Sequence, residues 1–151
     1  MALYLAQHGK NLPKEKDPDK GLSAEGTVEV ERMATLAKGY ELSVSSIRHS
    51  GKKRAQQTAE IFARALGPEG GVEAVEGLGP LDDVSRLSVD SDRNVMLVGH
   101  LPFMEKLTAH LVAGDAEKAP VLKFQNGGIV CLKSGEETGW YIAWALMPHI
   151  D

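Results

Sequence analysis

The sequence predicts an α/β fold of three layers: a mostly parallel central sheet with helices on both faces, and an antiparallel hairpin near the C-terminus. Two observations predict this fold. Apolar runs rich in Leu, Val and Ile alternate with segments of helical period, as in parallel strands joined by covering helices. Two strand-like runs late in the chain are separated only by a Ser-Gly-Glu-Glu-Thr-Gly segment, which indicates a hairpin.

Strand and helix signals follow one another along the chain. Strands are predicted at apolar runs bounded by turn residues: 2–6, 42–47, 72–75, 94–100, 127–133 and 140–146. Helices are predicted where apolar residues recur every three or four positions: 23–38, 52–66 and 102–113, with a short helix at 84–89. Ser23 suits the N-cap of the first helix, and Gly67 with Pro68 should end the second.

Length and charge exclude several classes of protein. A chain of 151 residues fits a single domain, which we assign to residues 1–151. Its 17 Lys and Arg and 21 Asp and Glu are mixed along the chain, with a net charge of -4, so a nucleic-acid partner is not expected. The lone Cys131 excludes an internal disulfide framework and favours a reducing, cytoplasmic location. No apolar run approaches the ~20 residues of a membrane span, so no membrane partner is expected.

Two histidines stand where predicted strands end. His8 precedes Gly9 after the first strand, and His100 follows Gly99 after the run 94–98. The carboxyl ends of strands in such a sheet gather functional groups, because helix N-termini there offer N–H groups to anions. Between the two histidines, the segment RHSGKKRAQQTAE (48–60) places a glycine and four cations at a predicted helix start. This composition indicates an anion-binding site.

These residue types suit phosphoryl transfer. A histidine can attack phosphorus through one neutral ring nitrogen if the other nitrogen donates to a fixed acceptor. Arginine is the side chain that best neutralises the phosphoryl oxygens, because its planar fork donates two hydrogen bonds and stays charged. A second histidine can add a donor or move a proton. The chain offers His8, Arg54 and His100 for these three roles.

Three segments in this order resemble the histidine phosphatase superfamily: LYLAQHGK, HSGKKRAQQTAE and LVGHLPF. The segment GLSAEG matches the one before the first helix of that family. The short length, the run FQNGGIVCL and the closing W-x-x-x-P are similar to the SixA-like phosphohistidine phosphatases in particular. The resemblance covers nearly the whole chain. It implies a phosphoglycerate mutase-like fold and a phosphatase that needs no metal or other cofactor, with His8 as the phosphorylated nucleophile and Arg54 and His100 on the oxygens.

Two positions next to the nucleophile depart from the family pattern. Gln7 replaces the usual arginine, and the loss of one donor in such a site can lower the rate by about 10² to 10³. Lys10 follows Gly9, where it either restores positive potential around the phosphate or points into water. With Gly9, whose missing side chain should leave room for the phosphate, Gln7 and Lys10 are predicted phosphate-binding residues. Ser50 is a fourth, although an N-cap role explains it equally well.

A third departure concerns the acid that protonates a leaving alkoxide. The family pattern places Gly77 near that position, with Glu76, Asp82 and Asp83 as neighbouring candidates, or no acid at all. The imidazole that leaves a phosphohistidine needs far less help than an alkoxide does. A weak or absent acid therefore favours P–N over P–O substrates.

Three functions remain open at this stage. The leading one is hydrolysis of phosphohistidine on a phosphorylated protein of a signalling relay. The second is hydrolysis of a small phosphomonoester by the same mechanism. The third is a weakly active module that binds phosphate or a phosphoprotein, because Gln7 has replaced the arginine. His49 either lines the pocket or is solvated, and His149 is expected to be an ordinary surface residue.

Overall fold

The computed structural model describes residues 1–89 and 93–150. Within these ranges, six strands form one sheet in the order β3-β2-β4-β1-β5-β6. Their bounds are β1 Ala2–Gln7, β2 Ser46–His49, β3 Val72–Ala74, β4 Val95–Gly99, β5 Ile129–Gly135 and β6 Gly139–Leu146. The first four strands are parallel, β5 pairs antiparallel with β1, and β6 completes a hairpin with β5. The predicted sheet and hairpin are confirmed.

Helices cover both faces of the sheet. In the described ranges they are α1 Ala24–Gly39, α2 Lys53–Leu66 and α3 Phe103–Ala113, with short 3-10 helices at Val84–Arg86 and Ala116–Lys118. One apolar core lies between the sheet and α1 with α2, and the other lies between the sheet and α3. None of the helices in the described part of the chain is both long and apolar enough to cross a membrane.

The helix ends follow the sequence closely. Ser23 accepts a hydrogen bond from the Gly26 N–H at 3.0 Å and caps α1 as predicted. Gly67 ends α2 at a φ of 57°, a left-handed conformation that a residue without Cβ adopts readily. The short helix predicted at 84–89 is only a single 3-10 turn, although Val89 at its far end is still buried. Part of the 84–94 connection, residues 90–92, lies outside the described residues.

The second strand begins later than predicted. The apolar run at 42–47 indicated a strand, but β2 starts at Ser46. Glu41 has a φ of 56°, and the Leu42 N–H donates to the Ala37 carbonyl oxygen at 3.3 Å, which closes the end of α1. Leu42 and Val44 pack on the core without strand pairing. These two residues are apolar because the segment that leaves α1 packs on the core, and such a segment resembles a strand in its sequence pattern.

Strand register brings the predicted functional residues to one edge of the sheet. Gln7 at the end of β1 pairs with Gly99 at the end of β4, and His49 of β2 pairs with Val98 of the same strand. The residues that follow these three strand ends must therefore lie side by side. The loop before β5 reaches the same place, because the Gly127 N–H donates to the Gln7 carbonyl oxygen at 2.9 Å.

Candidate active site

His8 is buried directly after β1, and both nitrogens of its ring have a partner. Nδ1 lies 2.6 Å from the Gly9 carbonyl oxygen; since a carbonyl can only accept, Nδ1 carries the proton and Nε2 keeps its lone pair. The Arg54 Nε–H donates to that Nε2 at 3.3 Å. Burial, with a smaller contribution from the charge of Arg54, lowers the pKa of His8 to about 4, against the opposing effect of the Gly9 hydrogen bond. The ring is therefore neutral at neutral pH.

His100 lies beside His8 at the end of β4. The two ring centroids are 5.0 Å apart, and His100 Nε2 lies 2.6 Å from the Ser50 hydroxyl oxygen. Burial first, and then the positive charges of His8 and Arg54, lower the pKa of His100 to about 3. Its Nδ1 is buried, and no hydrogen-bond partner for it exists among the described residues. Ser50 therefore holds Nε2 of this ring, whereas no described residue holds Nδ1.

Ser50 does not cap α2. The helix begins after Lys52, whose own side chain makes no capping bond. The Ser50 hydroxyl contacts His100, and its oxygen also accepts the Lys52 N–H, just ahead of the helix, at 3.4 Å. The backbone before α2 is held by His49, which is 5% exposed and whose Nδ1 accepts the Gly51 N–H at 3.1 Å. Burial lowers the pKa of His49. Of the two alternatives for His49, lining the pocket or being solvated, the second is therefore wrong: it is a buried residue that shapes the turn ahead of Arg54.

Thr58 joins the end of β1 to the first turn of α2. This fully buried side chain accepts the Gly9 N–H at 2.9 Å and donates to the Arg54 carbonyl oxygen at 2.8 Å. It therefore fixes the backbone next to the proposed nucleophile and the backbone of the arginine at once. No role for Thr58 was predicted from the sequence, where it lies on the apolar face of the helix predicted at 52–66. A hydroxyl on such a face, four residues after Arg54, is the signal that could have found it.

Asn126 supports His8 from the loop before β5. Its Nδ2 donates to the His8 carbonyl oxygen at 3.0 Å, and the Gly127 N–H reaches the same oxygen at 3.3 Å. The run FQNGG had been noted only for its likeness to a family. The structure shows that Asn126 and Gly127 of this run contact the backbone of His8.

Gly9 is required by packing, and this corrects the expected reason for it. A Cβ built at Gly9 would come within 2.5 Å of Val30 Cγ2 and 3.3 Å of the Gly26 carbonyl oxygen, both in α1. The missing side chain therefore lets β1 approach α1 rather than leaving room for a phosphate. The amide of Gly9 is also occupied, since it donates to Thr58.

Gln7 and Lys10 differ in how they are placed. Gln7 is 8% exposed, and its amide oxygen is buried without a hydrogen-bond partner among the described residues. Lys10 is partly exposed and binds the Glu25 carboxylate at 2.9 Å, a contact that raises the pKa of Lys10. Lys10 would have to leave Glu25 to reach a phosphate, whereas Gln7 is already buried at the strand end.

The three candidate acids and Ser50 line one cleft of about 620 Å³. Asp82 accepts the Gly79 N–H at 2.7 Å, and Asp83 accepts the Ser85 N–H and hydroxyl at 3.0 and 2.7 Å. Both aspartates are thus committed to local turns. Glu76 is exposed, and no hydrogen bond holds its carboxylate within the described ranges.

His149 lies at the surface as expected, but its side chain and backbone also have partners. Its Nε2 lies 2.8 Å from the Glu29 carboxylate in α1, and its backbone N–H donates to Gln125 at 2.9 Å. The tail is thereby fixed against α1, away from His8 and His100. Among the described residues, no three His, Cys, Asp or Glu side chains are grouped so that they could share a metal ion.

Residues 3–82 match the family model of the Histidine phosphatase superfamily (branch 1). The chain belongs to the histidine phosphatase superfamily. Its phosphoglycerate mutase-like α/β fold and its likeness to SixA proteins are borne out by individual relatives.

Two relatives and one solved structure match this superfamily member over most of their own length. The phosphohistidine phosphatase SixA of Escherichia coli K12 is 26% identical over 98% of this chain and 94% of its own. An uncharacterized protein of Picosynechococcus is 30% identical, over 89% of this chain and 86% of that protein. The solved structure of the protein histidine phosphatase SixA complexed with tungstate superposes with a TM-score of 0.83, at 25% identity, over 98% of this chain and 97% of that one.

Proposed function

We propose that this protein is a phosphohistidine phosphatase in which Nε2 of His8 attacks the phosphoryl group. The observation that carries the proposal is the 2.6 Å contact between His8 Nδ1 and the Gly9 carbonyl oxygen. That contact leaves the in-plane lone pair on Nε2, the nitrogen next to Arg54, and the lowered pKa keeps the ring neutral. A neutral, oriented imidazole is what nucleophilic attack on phosphorus requires.

The first step transfers the phosphoryl group to His8. The Nε2 lone pair forms a bond to phosphorus as the P–N bond of the substrate breaks, and the electrons of that bond stay on the departing imidazole. This imidazole leaves neutral because its other ring nitrogen already carries a proton from solvent. Arg54, His100 and Ser50 donate to the three phosphoryl oxygens, for which Arg54 must exchange its contact with Nε2 for one with phosphate. Gln7 is proposed as a further donor.

The second step returns the enzyme to its starting state. Phosphorylated His8 carries a proton on Nδ1 and a phosphoryl group on Nε2, so its ring is cationic and leaves readily. Water forms a bond to phosphorus, the P–Nε2 bond breaks with its electrons returning to Nε2, and inorganic phosphate departs with both protons of the water. Arg54 and the neighbouring donors supply the positive charge, so no metal ion takes part in this proposal.

Two observations support a P–N substrate. Asp82 and Asp83 are held in turns, which leaves little acid assistance for an alkoxide, whereas an imidazole leaves without it. The likeness to proteins named phosphohistidine phosphatase points the same way. We further propose that the substrate is a phosphorylated protein and that the reaction takes place in the cytoplasm, where a free, buried thiol such as Cys131 stays reduced.

Two other functions are each favoured by one observation. The exposed, uncommitted carboxylate of Glu76 in the cleft beside Ser50 favours hydrolysis of a small phosphomonoester, since it could protonate an alkoxide. Gln7 favours a weakly active binding module, because a neutral amide stands where the family has an arginine. Both alternatives use the same phosphate-binding residues.

Hydrolysis of phosphoramidate and of an alkyl phosphomonoester such as glycerol 2-phosphate by one preparation separates these functions. A phosphohistidine phosphatase should give a kcat/KM for phosphoramidate about tenfold or more above that for the ester, because only the alkoxide of the ester needs an acid to leave. The opposite order would contradict our proposal and support the phosphomonoesterase. Vanadate binding without release of phosphate from either compound would support the binding module.

A further inference from the structure

A basic cleft adjoins the proposed catalytic cluster, which consists of His8, Arg54 and His100, on the side of Arg54. This cleft, of about 710 Å³, lies between the 14–20 loop and the start of α2. Its cationic lining residues are Lys14, Lys20, Lys52, Lys53 and Arg54, and Asp19 is the acidic residue that lines it. The whole chain has a net charge of -4. The protein as a whole is negative, but the surface beside Arg54 is positive. The electrostatic potential there favours the binding of anions.

The loop that carries Lys14 and Lys20 is tied to α2. Asp17 accepts the Gly21 and Asp19 N–H groups at 2.9 and 3.0 Å and binds the Lys53 ammonium at 2.8 Å. The Leu22 N–H donates to Gln57 of α2 at 2.7 Å. These contacts order the loop before any partner arrives, so little conformational entropy remains to be lost on binding.

Three lysines of the basic cleft form no ion pair with any residue that the structure describes. Lys53 is neutralised by Asp17, but no ion pair holds Lys14, Lys20 or Lys52 within residues 1–89 and 93–150. Lys20 also has a φ of 53°, a left-handed conformation that favours glycine. A lysine at such a position loses stability that a glycine would keep, which points to a use for its charge.

We propose that the basic cleft binds acidic side chains that flank the phosphohistidine of a protein substrate. This inference rests on the proposed function and names the kind of partner. Arg54 belongs both to the cleft and to the catalytic cluster, so an acidic side chain bound there lies within a few residues of the phosphohistidine. The lysines come from two separate segments around an open cleft, which suits several carboxylates of a peptide.

Stable peptides test this inference without turnover. Phosphonate-triazole analogues of phosphohistidine, flanked by three glutamates or by three glutamines, are labelled with a fluorophore, and their Kd values are measured by anisotropy. The glutamate peptide should bind about three- to tenfold more tightly at low salt, because each exposed ion pair contributes modestly. The preference should shrink at high salt, which screens exposed charges. Equal Kd values at low salt would overturn the inference.

Variants assign the preference to the lysines. Lys20→Gly removes the charge and suits the left-handed backbone, and Lys14→Ala removes the neighbouring charge. In the double variant the ratio of the two Kd values should move towards one by about twofold or more, since Lys52 and Arg54 remain in the cleft. Because both peptides are measured on the same variant, any general loss of affinity cancels. Lys118→Ala, at an exposed position of the 3-10 helix Ala116–Lys118, should keep the ratio of the original protein. An unchanged ratio in the double variant would also overturn the inference.

The two levels of the proposal fail in different ways. Turnover of phosphoramidate and of authentic phosphohistidine peptides, without a preference for the glutamate sequence, would remove the role of the basic cleft and leave the phosphatase intact. The opposite result is a preference for the glutamate peptide that the lysine variants weaken, with no turnover of phosphoramidate or of phosphohistidine peptides. It would support the role of the basic cleft in binding and contradict the proposed hydrolysis.

Discussion

The two buried histidines differ in how firmly the fold holds them. At the end of β1, His8 has partners at both ring nitrogens, and Asn126 and Thr58 hold the two polar atoms of the peptide group that follows it. At the end of β4, His100 has Ser50 on Nε2 and no partner on Nδ1 among the described residues. The first arrangement fixes one tautomer, as a nucleophile requires. The second allows the ring to change its protonation state when a phosphate dianion arrives nearby.

Among the substitutions that keep His8, removal of the His100 ring should have the largest effect on kcat/KM. In His100→Ala, we expect kcat/KM for phosphoramidate to fall by about 10² to 10³, because a donor to the developing charge is lost. The nucleophile remains, so His8 should still acquire a phosphoryl group, only more slowly. Steady-state kinetics and rapid quench measure the two quantities. A variant with normal kcat/KM would show that His100 does not contact the phosphoryl group.

The pH dependence of stability should reveal both rings. Their pKa values in the folded state, about 4 for His8 and about 3 for His100, lie below the 6.5 of an unfolded histidine. Between those values and 6.5 the unfolded chain binds more protons, so acidification destabilises the folded protein. We expect a loss of roughly 1–3 kcal/mol between pH of about 6.5 and about 4. Urea unfolding across this range measures it, and His100→Ala should flatten the slope.

Gln7 should contribute less than either ring. If its amide donates to a phosphoryl oxygen, Gln7→Ala will lower kcat/KM by about tenfold, the usual effect of one hydrogen bond to a charged group. Lys10→Ala is the matched control, since the Lys10 ammonium is already bound to Glu25, and it should change kcat/KM by no more than about twofold. A larger effect of Lys10→Ala than of Gln7→Ala would reverse our assignment of these two positions.

The bracing of His8 can be tested apart from the chemistry. Thr58→Val keeps the shape of the side chain but leaves the Gly9 N–H unsatisfied, so we expect the free energy of unfolding to fall by about 1–3 kcal/mol. If Thr58 also positions Arg54, kcat should fall about fivefold with little change in KM. Thr58→Ser restores both hydrogen bonds and should restore kcat. Loss of stability with an unchanged kcat would make Thr58 purely structural.

Local residue patterns predicted the positions of the catalytic cluster because they follow from strand order and direction. His8 and His100 end apolar runs, and Arg54 begins an amphipathic helix; a parallel sheet then brings them to one edge. The start of β2 could not be predicted in the same way. Leu42 and Val44 are apolar in sequence, but they pack on the core as the exit from α1.

The supporting contacts depend on distant parts of the chain. Thr58 meets Gly9 across 49 positions and Asn126 meets His8 across 118, and no local pattern specifies such pairs. The need for a glycine at position 9 could not be predicted either, because the side chain that a Cβ there would clash with belongs to Val30 in α1. Sequence patterns predict which side chains could carry the chemistry, while the fold determines which residues hold them in place.

The nitrogen that becomes phosphorylated tests the central claim most directly. The protein is mixed with phosphoramidate, quenched within milliseconds in alkali, digested, and examined by mass spectrometry and phosphorus NMR. Because Nδ1 of His8 donates to the Gly9 carbonyl oxygen, we predict a phosphoryl group on Nε2 of His8, absent in His8→Ala. A phosphoryl group on Nδ1, or on another residue, would contradict this account.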